Sequence, residues 1–132
     1  MPTRPGRVPA VLLVDSARDN RAMYAEFLKV FGFRTLQAAT TRRALALAPK
    51  ADVVVTGVRV NTAYDGLDLV RRLHAEPRTS NAAVIVLTAY AFDFARRLAM
   101  SAGCDAFLTK PCLPEDLLSE IRRVLQSRAV GD

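Results

Sequence analysis

The sequence predicts an α/β domain: a doubly wound, five-stranded parallel sheet covered by five helices. Three observations carry this. Five short apolar runs alternate along the chain with five segments of helical character. The runs are continuous in Val, Leu, Ile and Ala, as strands buried on both faces must be, rather than alternating with polar residues. At 132 residues the chain suits one domain, long enough to bury about two-thirds of the surface its unfolded form exposes. With 51% apolar and 24% charged residues, it has ordinary globular usage and needs no disulfide or metal staple.

Each element has its own justification. Residues 1–9 hold three prolines and one glycine, so the folded domain is expected over 9–127, with tails at 1–8 and 128–132. "AVLLVD" (10–15) is a short apolar run ending on an acid and reads as the first strand. In "DNRAMYAEFLKVFGF" (19–33), Met23, Phe27, Val30 and Phe31 recur at helical spacing, and Met23 and the phenylalanines are expected in the core. Asp19 or Asn20 is placed to cap that helix, and Gly32 to end it. "FRTLQAA" (33–39) alternates weakly and reads as the second strand. "TTRRALALA" (40–48) is a short helix with a threonine cap, stopped by Pro49. "DVVVT" (52–56) is a fully apolar third strand. Asp65 is expected to cap the helix "GLDLVRRLHAE" (66–76), which Pro77 closes. "AAVIVLTA" (82–89) is the fourth strand, and "FDFARRLAMSAG" (92–103) a helix ending on glycine. "AFLT" (106–109) is the fifth strand. "LPEDLLSEIRRVLQS" (113–127) is the last helix, with Pro114 near its first turn and Leu117, Ile121 and Val124 on one face. Leu113 is a poor cap, so packing is expected to hold that helix start.

Helical crossovers between parallel strands are right-handed, and five strands of this kind suggest the order 2-1-3-4-5. In such a sheet the working crevice lies at the carboxyl ends of the strands, about the point where the winding reverses. Those ends are Asp15-Ser16, Gly57, Thr88-Ala89 and Lys110-Pro111. A residue with no side chain therefore stands at the end of the third strand.

Composition narrows the function classes. The net charge is +6, with sixteen Arg against three Lys, and Arg pairs stand at 42–43, 71–72, 96–97 and 122–123. A basic chain invites a nucleic-acid reading. Each pair falls on a different helix, however, and no aromatic residues interleave with the pairs as a stacking platform requires. Direct nucleic-acid binding is therefore not expected. The longest apolar runs, Ala10 to Val14 and Ala82 to Leu87, are far short of a membrane span. Cys104 and Cys112 are expected as reduced thiols in a cytoplasmic protein, with Cys112 a small core residue. His74 is the only histidine; it makes no metal cluster and is expected on the solvated face of the third helix. Phe92 and Phe94 are two positions apart on the fourth helix, so at least one is expected at the surface. The first strand–helix turn, "DSARDN", has no glycine-rich phosphate loop. No enzymatic activity is expected.

The segments "LLVD" with Arg21 six residues on, "AYDGLDLVRRL", "VIVLTA" and above all "SAGCDAFLTKP" carry a family resemblance. Over about residues 9–127 the chain resembles a CheY-like response regulator receiver domain of two-component signalling. The resemblance implies an aspartate at the end of the third strand that becomes an acyl phosphate, and two acids after the first strand that help it hold Mg²⁺. It also implies a hydroxyl after the fourth strand, a switch aromatic on the fifth, and a Lys-Pro with a cis bond. Asp15, Thr88, Phe107, Lys110 and Pro111 match those positions. Ser16 stands where the second acid belongs, and Gly57 where the phosphoacceptor belongs. The loop from Gly57 to Asp65 is one residue longer than the family's, and Asn61 is nearest to its usual proline. Sliding the alignment by one supplies Thr56 or Val58, not a carboxylate. The expectation is a pseudo-receiver without catalytic or metal-binding residues and with no cofactor. An Asp15–Lys110 ion pair would settle the charges left behind, and Arg59 or Arg18 is a candidate to stand where the metal stands in the family. Expected partners are a histidine kinase, an output domain or another signalling protein, with homodimerisation through the fourth helix, fifth strand and fifth helix as a further possibility. Two alternatives stay open: phosphorylation of an unconventional acceptor such as Ser16 or Asp15, and a nucleic-acid-associated regulator.

Overall fold

A computed structural model describes residues 8–131. Apart from Val8, the expected N-terminal tail lies outside the described residues. Five strands, β1 (Ala10–Val14), β2 (Arg34–Ala38), β3 (Val53–Thr56), β4 (Ala83–Thr88) and β5 (Ala106–Thr109), form one sheet in the order β2-β1-β3-β4-β5. All four pairings are parallel, with Val14 opposite both Ala38 and Thr56, and Thr56 opposite Val86. The five helices are α1 (Arg18–Val30), α2 (Thr41–Leu47), α3 (Asp65–Ala75), α4 (Asp93–Ala102) and α5 (Pro114–Gly131).

Side-chain alternation along the strands divides the core into two layers. Leu12, Val14, Val54, Val84 and Val86 face one way and pack with Leu67, Val70 and Leu73 of α3 and Ala99 of α4. Val11, Leu13, Val53, Val55, Ile85 and Leu87 face the other way, against Tyr24 and Leu28 of α1 and Leu117, Ile121 and Val124 of α5. Leu12, Leu28, Leu73 and Ile121 are wholly buried, each contributing about 1.5–3 kcal/mol by apolar transfer. Two aspartates satisfy strand N–H groups at the opposite end from the crevice. Asp52, just before β3, accepts from the Ala10 N–H at 2.8 Å, and Asp105, just before β5, accepts from Val84 at 2.8 Å.

The helix ends correct several expectations. Asp19 and Asn20 do not cap α1, which begins after Ala17 with no side-chain cap. The Asp15 carboxylate instead accepts from the Ala17 N–H at 2.8 Å, turning the chain into the helix. Gly32 does close α1. Its φ of +92° lets Phe33 N–H reach the Leu28 carbonyl and Gly32 N–H that of Lys29. Thr40 caps α2 through Arg43 N–H at 3.1 Å, and Pro49 sits in a single 3₁₀ turn (Ala48–Lys50) after it. The last helix runs beyond Ser127 to Gly131, with Arg128 paired to Asp105 at 2.8 Å.

The buried face of α1 is Tyr24, Ala25 and Leu28, not Met23, Val30 and Phe31, which are exposed. Phe27 is only half-buried. α1 is rotated so that the Tyr24 hydroxyl donates to the Cys112 carbonyl at 2.7 Å across the α1–α5 groove. Phe27 and Phe31 then pack on one another, centroids 4.8 Å apart, with the Arg122 guanidinium over Phe31.

His74 is another correction. It is half-buried, and its Nε2 lies 2.7 Å from the carbonyl oxygen of Gly103. That nitrogen must carry the proton, because a carbonyl only accepts. The ring fills the space over the end of α4 so closely that a Cβ on Gly103 would lie 2.6 Å from it. Gly103 also has a φ of +109°, so glycine is required there for conformation and for space.

Candidate functional site

The carboxyl ends of β1, β3, β4 and β5 surround a cavity of about 270 Å³. Asp15, Gly57, Thr88 and Lys110 all line it. The structure thus brings together four of the residues that the sequence points to separately; Ser16 is exposed and not in the lining, and Phe107 and Pro111 lie outside it as well.

The charges are arranged as the sequence suggests. Lys110 Nζ donates to Asp15 Oδ2 at 3.0 Å, both side chains being about a quarter exposed. With Ala17 N–H on its other oxygen, Asp15 is committed at both ends. The Lys110–Pro111 bond is cis. Of the two arginines considered, Arg59 edges the cavity but remains exposed and makes no ion pair with Asp15; Arg18 is exposed and does not line it.

Gly57 has an ordinary backbone conformation. A Cβ there would meet the Arg59 carbonyl oxygen at 3.2 Å and that of Leu87 at 3.5 Å. A side chain can therefore be seated with a shift of a few tenths of an ångström, and the missing Cβ widens the cavity.

Thr88 is buried, and its hydroxyl oxygen accepts from the Tyr90 N–H at 3.0 Å. Phe107 is half-buried on β5, with the Arg96 guanidinium 5.5 Å from its ring centre. Tyr64 and Tyr90, which the sequence reasoning passes over, form the outer wall. Their hydroxyls are 3.3 Å apart and their rings meet edge to face at 6.0 Å. Phe92 and Phe94 are both exposed, stacked on each other, and touch Tyr90 edge to face. "TAY" after the fourth strand is the only local signal for this cluster, and a single aromatic beside a loop has no periodicity to read.

The β3–α3 loop is held by Asp65, but not as a helix cap. Its carboxylate accepts from the N–H groups of Val60, Asn61 and Thr62 at 2.7, 2.9 and 3.1 Å. α3 instead follows Tyr64, whose φ is +64°. Partial burial pushes the Asp65 carboxyl up, but the N–H groups of Val60, Asn61, Thr62 and Gly66 outweigh it and hold its pKa below the ordinary value. A depressed folded pKa gives stability that is present above the unfolded pKa, about 4, and is lost as pH falls through the folded pKa. The Asp65→Asn variant is therefore expected to be less stable than the wild type at pH 7. The gap should narrow on acidification below pH about 4, as urea midpoints at a series of pH values will report. A gap independent of pH would mean that the charge does not hold the loop.

Both cysteines are free. Burial, then the Asp105 charge, pushes the Cys104 thiol up to about 11. Burial, then Asp116, raises Cys112 as well. Neither is a ready thiolate, which speaks against a redox role. The paired arginines are exposed on α2, α3, α4 and α5, so their charge is spread around the domain. No described helix is long and apolar enough to cross a membrane.

Comparison with known proteins gives a consistent picture. The profile of the response regulator receiver domain matches residues 11–122. The chain is 29% identical over 124 residues to the phosphate regulon transcriptional regulatory protein PhoB of Pseudomonas aeruginosa, covering 92% of this chain and 54% of that protein. It is 32% identical over 117 residues to the transcriptional regulatory protein CpxR of Klebsiella pneumoniae, covering 88% and 49%. It thus spans about half the length of these curated relatives. A crystal structure of a CheY-like receiver domain protein from Methanospirillum hungatei superposes with a TM-score of 0.87 at 23% identity, covering 96% of this chain and all of that one.

Proposed function

This chain belongs to the response regulator receiver domain family, and from that premise we propose that it is a phosphorylation-independent interaction module of two-component signalling. The observation that carries the reading is Gly57 at the end of β3, on the cavity wall where the family's phosphoacceptor aspartate belongs. The neighbouring acids are engaged elsewhere. Asp52 binds Ala10 N–H at the far end of β3, and Asp65 holds the loop. The family's Mg²⁺ does not fit the donor set either. The cavity offers one carboxylate, Asp15, with both oxygens taken by Lys110 and Ala17, and no group of three or more His, Cys, Asp or Glu among the described residues is placed to hold a metal. Mg²⁺ wants octahedral oxygen ligation with carboxylates free to give it.

In this reading the Asp15–Lys110 pair replaces metal and phosphate as the tie across the crevice, and a partner reads one fixed surface. That surface is the α4–β5–α5 side, where Phe94 and Leu98 are exposed and Arg96 covers Phe107. The partner is a protein of a cytoplasmic signalling pathway, a histidine kinase or an output domain. Incubation with acetyl phosphate and Mg²⁺ followed by intact mass tests the proposal. The mass is expected not to change. Gain of one phosphoryl group, at Ser16, Asp15 or elsewhere, overturns it.

A further inference from the structure

Resting on the reading that no acyl phosphate forms here, we propose that the crevice is a binding site for a small aromatic carboxylic acid. The space is of the right kind. The cavity of about 270 Å³ beside Gly57 is adjoined by one of about 80 Å³, and Arg59 and Tyr90 line both. Together they fall at the lower end of small-molecule sites, roughly 300–1,000 Å³ with mostly apolar walls and a few convergent polar groups.

The polar groups converge in the larger chamber, and three have donors to spare. Lys110 has three ammonium protons, of which Asp15 takes one. The Thr88 hydroxyl accepts from Tyr90 N–H, and its own proton has no acceptor among the described residues. Arg59 makes no hydrogen bond or ion pair among the described residues. The one acid on the wall, Asp15, has both oxygens already bonded. Two cations against one spent acid favour a single negative charge. A planar carboxylate suits an arginine fork.

The second chamber says what the carboxylate is attached to. It lies between Val58, Ala63 and the mutually perpendicular rings of Tyr64 and Tyr90. A flat apolar body gains there by burial and by edge-to-face contact. Inorganic phosphate cannot use that chamber. Gly57 lines the larger cavity and puts no side chain into it.

The test is a ¹H–¹⁵N shift titration of the full chain with phenylacetate, with acetate and inorganic phosphate as comparators. Saturable shifts are expected at Gly57, Thr88, Ala89, Tyr90 and Lys110, with phenylacetate binding at least about tenfold more tightly than either comparator. Arg59→Ala removes an exposed side chain and should leave the fold intact, while weakening phenylacetate by about tenfold, the loss expected for one charged hydrogen bond. Tyr90→Leu is expected to weaken phenylacetate but not acetate. Phosphate binding as tight as phenylacetate overturns the proposal, as does the absence of saturable shifts or binding unchanged by Arg59→Ala. The outcomes separate from the functional reading. A chain that labels with acetyl phosphate yet binds phenylacetate defeats that reading alone, and a chain that does neither defeats this proposal alone.

Discussion

Gly66→Ala is expected to lower stability by about 3 kcal/mol or more, at the upper end of what overpacking costs. A methyl group there would lie 1.7 Å from the Gly57 carbonyl oxygen and 2.9 Å from that of Val58. Gly66 N–H already donates to the Val58 carbonyl at 2.9 Å, so the first turn of α3 and the end of β3 are in backbone contact. No flexible side chain can give way, because both colliding groups are main chain. Its φ lies outside the left-handed region, so glycine serves for space and not for conformation. Urea unfolding measures the effect, and Gly57→Ala is the control. Its Cβ meets backbone only at 3.2 Å, and a loss of no more than about 1 kcal/mol is expected. If Gly66→Ala costs no more than that control, the β3–α3 loop is free to retreat, and the crevice wall is softer than its hydrogen bonds imply.

The sheet was legible because parallel strands buried on both faces leave continuous apolar runs, which few other elements of that length produce. The α1 face was not. Residues 22–31 contain Ala22, Met23, Tyr24, Ala25, Phe27, Leu28, Val30 and Phe31, enough apolar groups to build more than one stripe. The choice among them is made by the sheet and by the Cys112 carbonyl that receives the Tyr24 hydroxyl, both distant in sequence. His74 misled for the same reason: its partner, Gly103, is 29 residues away. Asp65 looked like a helix cap from its position alone, while its three loop donors precede it. The Asp15–Lys110 pair was readable because an ammonium at a half-buried strand end needs a counter-charge, and Asp15 is the one acid at the carboxyl ends of the strands that ring the crevice. The aromatic wall of Tyr64 and Tyr90 was not, because loop residues meet through tertiary structure alone.

The double variant Gly57→Asp with Ser16→Asp is expected to gain one phosphoryl group from acetyl phosphate and Mg²⁺, where the wild type gains none. The attacking carboxylate oxygen would bond to phosphorus as the bond to acetate breaks, so the mass rises by one phosphoryl group and acetate is released. Gly57 has an ordinary backbone conformation, and the new side chain asks the Arg59 carbonyl to give by a few tenths of an ångström. Restoring it alone leaves Ser16, a weak neutral ligand, in place of an acid. Gly57→Asp by itself is therefore expected to label at least about tenfold more slowly than the double variant, a difference of about 1.4 kcal/mol in the barrier. A second readout follows from electrostatics. Adding two acids near Asp15, against Lys110 and Arg59, sets like charges close together and leaves the acids in excess of the cations. The double variant should melt below the wild type in EDTA and recover with Mg²⁺, since a ligand of the folded state alone raises its stability; the wild-type melting point should not respond. A double variant that folds, is stabilised by Mg²⁺ and still takes no phosphoryl group would place the block elsewhere. The β3–α3 loop held by Asp65 would then be the element that shuts the chemistry off.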